Sequence, residues 1–185
     1  ANLYSEFINF EKSEQSKSIK KYLSNLANVN GADGYMLLMF ITSRFRLEDY
    51  EKEKLIDLLC KYFIRRNVTD TPPTRDLTNY FIEMITDISK LESYDFDDVK
   101  NIVIKHGRPA SDKKFEEKLK GDIYDENVGA SRYILSSIEL SLSETKEKFT
   151  DFYARDKGKF VWTIEHIFPQ GDNIPAHWVK MIADG

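Results

Sequence analysis

The chain has 185 residues and a mass of 21.6 kDa, 41% hydrophobic and 31% charged, which is enough to bury close to ~70% of its unfolded surface around one core and excludes disordered and fibrous classes. A formal net charge of −4 excludes a generally basic nucleic-acid coat while leaving room for a local basic face, and a single cysteine, Cys60, excludes a disulfide framework or a thiolate zinc cluster. The longest apolar run, Tyr35 to Ile41, is far too short to span a bilayer, no signal segment opens the chain, and the expected setting is the reducing cytoplasm with no membrane partner.

Helical periodicity dominates. Ile19, Tyr22, Leu23 and Leu26 recur at i, i+3, i+4 and i+7, the apolar stripe of an amphipathic helix. Tyr35 to Phe45 is apolar nearly all round and reads as a buried central helix, with Asp33 placed to cap its first amides. Leu55, Leu59, Tyr62 and Phe63 define a third helix. Pro72-Pro73 ends that pattern, and Thr74 stands as the cap of the next helix, whose stripe is Leu77, Tyr80, Phe81, Met84, Ile85 and Ile88. A helix from Asp95 to His106 stops at Gly107-Arg108-Pro109, and a polar surface helix runs from Ser111 to Lys120. Tyr133, Ile134, Ile138 and Leu142 mark the last long helix.

The period changes near the C-terminus. Lys159 to Ile164 is β-branched and aromatic and predicts a strand, and Ile174 to Ala183 starts another short helix after the loop at Pro169 to Asn173. A lone strand leaves its backbone groups unpaired, so either an upstream segment pairs with it or its partner lies beyond Gly185, in which case the chain is a fragment. The expected fold is mainly α: an array of about seven helices with a short β element near the C-terminus. Its inward residues are Leu23, Leu38, Phe40, Leu59, Phe63, Phe81, Ile85, Ile138 and Leu142.

The chemistry-bearing residues are few. There is no Gly-rich phosphate loop and no His-x-x-x-His pair. His106, in a helix's last turn, reads as a cation favourable to the macrodipole. His177 reads as a surface or packing residue. His166 differs, because it follows Glu165 at a strand end, and a carboxylate beside an imidazole offers a metal ligand and a general base in one short stretch. Strict strand alternation would point the two side chains to opposite faces, so a shared site requires the strand to end or bend there.

The stretch Trp162-Thr163-Ile164-Glu165-His166-Ile167-Phe168-Pro169-Gln170 resembles the opening motif of the His-Me finger (HNH-like) nuclease domain in GmrSD-type restriction proteins. The segments Phe63-Ile64-Arg65-Arg66-Asn67-Val68 and Arg132-Tyr133-Ile134-Leu135-Ser136-Ser137-Ile138-Glu139 are similar to the helical region that precedes it. The resemblance implies a helical domain over residues 1–158 and the start of the nuclease over 159–185. It implies that His166 is the general base activating water against a DNA phosphodiester, with Glu165 a ligand to a divalent ion, magnesium. It also implies a nucleotide-dependent N-terminal domain as a partner, whose Asp-Gly-Gln-Gln-Arg-like motif this sequence lacks. The family's next strand and its downstream Asn or His have no match before Gly185, so residues 1–185 alone are expected to be inactive and to bind magnesium poorly. The competing reading is a helical module that positions DNA or a partner and performs no catalysis.

Charge supplies the remaining clue. Between Lys105 and Lys120 stand six cations (Lys105, Arg108, Lys113, Lys114, Lys118 and Lys120) against three carboxylates. Such a segment can hold DNA phosphates without reading sequence, or form a solvated helix face. Arg65 and Arg66 form a second basic pair, at a helix end where cations are favoured anyway.

Overall fold

Helices account for most of the chain in the computed structural model, which describes residues 3–142, 150–165 and 174–183. Two compact units result, Ala1–Ser137 and Ile138–Gly185. The first holds α1 (Leu3–Ile8), a 3-10 turn (Phe10–Lys12), α2 (Lys17–Asn28), α3 (Gly34–Arg44), α4 (Asp49–Thr69), α5 (Thr74–Ile88), α6 (Phe96–Gly107), α7 (Asp112–Leu119) and α8 (Ile123–Glu126). The division falls within α9 (Val128–Leu142).

Local sequence explains most helix starts. Ser16 accepts from the Ile19 amide at 3.3 Å, Asp95 from the Asp97 and Asp98 amides at 2.9 and 3.1 Å, and Ser111 from the Lys114 amide at 3.3 Å. Glu48 and Glu51 close a reciprocal capping box at the head of α4. Two expected caps differ. Asp33 makes no side-chain cap, its backbone being already helical, and Thr74 lies inside α5 with Pro73 at the cap position. The Thr74 hydroxyl instead accepts from Arg66.

α4 is the central helix of this unit and packs against α2, α3, α6 and α7, while α5 packs on α3 and α6. Leu23, Leu38, Leu59, Phe63 and Phe81 are buried as expected, and Phe40 and Ile85 pack partly buried against them. Phe63 and Phe81 stack at 6.0 Å between centroids, and Tyr62 meets both edge-on at 5.3 and 6.1 Å. The α5 stripe turns inward through Leu77, Phe81, Met84 and Ile88. Gly107 serves close approach: a Cβ there would lie 2.7 Å from the Tyr62 ring and 2.9 Å from the Met84 methyl. The left-handed residue at this helix end is Arg108, with φ 46°, rather than the glycine.

Ile138 and Leu142 are not inward. They are 49% and 71% exposed, because α9 buries Ala130, Ser131, Arg132 and Ser136 instead. Apolar residues stand on several sides of α9, so the pattern alone does not choose its buried face. The described residues contain ten α-helices rather than about seven: the short α1 and α8 are additions, and α10 (Ala176–Ala183) falls where the short helix after the loop was expected.

In the second unit, β1 (Arg155–Asp156) pairs antiparallel with β2 (Lys159–Phe160) in the register Arg155↔Phe160 and Asp156↔Lys159. Lys157 (φ 48°) and Gly158 (φ 82°) supply the two positive φ angles of a type I′ turn, whose twist matches that of the strands it joins. The strand predicted over Lys159 to Ile164 therefore does find an upstream partner, but it is short. One more bond, from the Val161 amide to the Ala154 carbonyl at 2.9 Å, ends the ladder. Before Arg155 the chain turns, with the Ala154 amide on the Asp151 carbonyl at 3.1 Å, and among the described residues no ladder bond continues beyond Val161. Among the described residues of this unit none is buried. No described helix in the chain is long and apolar enough to cross a membrane.

Candidate functional site

The hairpin leads directly into the stretch that carries Glu165. Residues 161–165 leave the strand geometry, so pleat alternation does not govern where the Glu165 side chain points. Glu165 is exposed, and its Oε1 accepts from the Thr163 hydroxyl at 2.7 Å. An exposed carboxylate steadied by one neutral donor keeps lone pairs for a hard cation. His166 lies outside the described residues. Among those described, no cluster of three or more His, Cys, Asp or Glu side chains is placed to hold a metal ion. His177 sits exposed on α10.

Rings and cations gather on the hairpin that precedes Glu165 in the chain. Phe152 meets Trp162 at 6.0 Å, and Tyr153 meets Phe160 at 6.3 Å, both edge-on. The Arg155 guanidinium lies 3.9 Å from the Phe160 ring centroid and donates to the Gly158 carbonyl at 2.9 Å, tying the strand to its own turn. Lys157 and Lys159 are exposed and have no ion-pair partner among the described residues. Neither lysine stood out in the sequence, where the local signal was read only as a strand.

Half of the six cations between Lys105 and Lys120 are ion-paired, and two more rest on neutral groups. Lys105 pairs with Asp87 at 3.0 Å, Lys118 with Glu126 at 3.2 Å and Lys120 with Glu116 at 2.7 Å. Arg108 lies over the Tyr80 ring at 4.7 Å, and Lys114 donates to the Thr71 hydroxyl at 2.5 Å. Only Lys113 of the six projects without a partner among the described residues. The two arginines of the Phe63–Val68 segment hold chain to chain. Arg65 donates to the Ala110 carbonyl at 2.9 Å, pairs with Asp112 at 2.7 Å and covers the Phe115 ring at 4.9 Å, which docks α7 on α4. Arg66 reaches the Pro72 carbonyl at 3.2 Å, the Asp70 carboxylate at 3.3 Å and the Thr74 hydroxyl, which fixes the α4–α5 connection.

His106 does more than complement a helix dipole. Its Nδ1 faces Glu83 at 3.1 Å and its Nε2 faces Asp87 at 2.7 Å, both on α5, and both contacts are hydrogen bonds only when the ring carries two protons. Asp87 also accepts from Lys90 at 2.6 Å and from Lys105 at 3.0 Å. These donors, Lys90 foremost and then His106 and Lys105, hold the Asp87 carboxyl well below the usual carboxylate range. The cluster fastens α6 to α5. Cys60 is free and buried, and burial pushes its thiol up to about 12, which makes it inert.

Comparisons with known protein families, with curated proteins and with solved structures find no match to this chain.

Proposed function

We propose that this chain belongs to a metal-dependent DNA endonuclease of the restriction type, with Glu165 and His166 opening its catalytic unit. The carrying observation is that the chain leaves strand geometry before Glu165, which frees the carboxylate from the alternation that would set it opposite His166. In support, Glu165 is exposed, and its one described hydrogen bond comes from a neutral hydroxyl. In this reading His166 takes the proton from the attacking water at a ring nitrogen, and Glu165 would be a ligand to magnesium. When bound, the ion supplies charge stabilisation at the phosphodiester oxygens. Of the six cations between Lys105 and Lys120, Lys113 is the one without a partner among the described residues and so the one open to a DNA phosphate.

The test uses the full-length protein on plasmid DNA, with and without magnesium. His166→Ala lowers cleavage by about 10²–10⁴-fold, the usual contribution of a general base. Helical content and DNA affinity stay near wild type, because only a proton acceptor is lost. Wild-type cleavage by this variant removes His166 as the base, and cleavage insensitive to chelation removes the metal.

A further inference from the structure

We infer that the β1–β2 hairpin is a DNA-backbone clamp that holds phosphates flanking the one presented to Glu165 and His166. The proposal rests on the endonuclease reading and names the surface that this reading needs. Arg155, Lys157 and Lys159 place three cations against one carboxylate, Asp156, within five residues of a chain that is acidic as a whole. All of these residues are exposed. Asp156 stands directly across from Lys159 in the register, yet no salt bridge joins them among the described residues.

The hairpin differs from the basic segment at Lys105–Lys120 in how its charge is used. There, three of six cations are spent on carboxylates within reach. Here Lys157 and Lys159 have no ion-pair partner among the described residues. Arg155 is held against the Phe160 ring and the turn carbonyl, which stiffens the support beneath them. A short ribbon with a tight turn and free lysines suits a polyanion read through its backbone rather than its bases.

Chain length ties this charge to the candidate site. Lys159 and Glu165 are six residues apart, so they are separated by at most about 20 Å even when fully extended. That reach corresponds to about six base pairs at ~3.4 Å of rise per strand charge. The lysines therefore bear on phosphates close to the scissile one, rather than on a remote stretch of duplex.

The test is a double substitution that removes charge without loosening the hairpin. Lys157→Asn creates the Asn-Gly pair favoured in type I′ turns, and Lys159→Thr places a β-branched residue in the strand. Binding of a 20-base-pair duplex to the full-length protein is followed by fluorescence anisotropy across a salt series. The expected result is weaker binding and a slope of log K against log salt that is shallower by about 1.8, two phosphate contacts at ~0.9 each. An unchanged slope overturns the clamp, as does a wild-type protein that does not bind duplex DNA. Cleavage by His166→Ala, measured on the same duplex, decides the nuclease reading separately: the clamp can fail while His166 remains essential, and the reverse.

Discussion

The helical unit buries Phe7, Phe63 and Phe81 almost completely, whereas in the C-terminal unit Trp162 keeps 49% of its surface in water. The first region is held by burial: aliphatic and aromatic side chains from α2 to α6 close one continuous core. The second is held locally, by a type I′ turn, two edge-on ring pairs and one arginine laid on a ring. Two strands of two residues supply little stability by themselves. The difference explains where free charge is found. In the packed unit Lys105 and Lys118 meet carboxylates that another helix brings alongside, and Lys52, Lys61, Lys90 and Lys120 meet carboxylates three or four residues away, whereas among the described residues Lys157 and Lys159 meet none. If the hairpin clamp holds, Lys157 and Lys159 are the cations it offers to a polyanion.

Core truncation is the strongest way to break this contrast. Phe63→Ala removes a ring that stacks on Phe81 and meets Tyr62, and should cost about 3–5 kcal/mol in urea unfolding. A cost below about 1 kcal/mol would mean that the helical unit is no better packed than its neighbour.

A smaller effect is expected at the α5–α6 polar fastening. The Asp87 carboxyl has its pKa lowered from an ordinary value of 3.8 by the donors around it, so its contribution to folding is complete above that value and is lost as pH falls through the lower folded value. Asp87→Asn should lower the melting temperature at pH 7, and the gap to wild type should close as the pH drops below about 4. Glu83, which shares His106, does not replace Asp87, since Lys90 and Lys105 reach only the latter among the described residues. A gap that is constant from pH 7 to pH 2 would remove the carboxylate's charge from the account.

The smallest effect sharpens the comparison from the other side. Leu142→Ser replaces a side chain that is 71% exposed and should change stability by no more than about 0.5 kcal/mol in the same unfolding experiment. A loss comparable to that of Phe63→Ala would show that α9 is covered along that face.

The helical architecture was legible because long amphipathic stripes repeat at 3.6 residues. The Leu77–Ile88 stripe and the caps at Asp95 and Ser111 are where pattern and structure agree most closely. Short elements such as α1 and α8 carry too few residues for a period to emerge. The candidate site was legible only as a local motif. Glu165 could be named, but the sequence pattern ran the strand to Ile164, whereas β2 ends at Phe160, where its two-residue partner β1 runs out.

Sequence alone determined which long segments are helical, which stripe of α5 faces inward and where the chain changes to β, since these follow from interactions between residues near one another in the chain. Tertiary structure alone decided which cations are free. Lys105 and Lys159 look alike as residues, but one lies 3.0 Å from a carboxylate 18 positions away and the other faces an aspartate with which it makes no salt bridge. An ion pair depends on distance in space, and no local pattern encodes which distant carboxylate the packing of two helices will bring alongside.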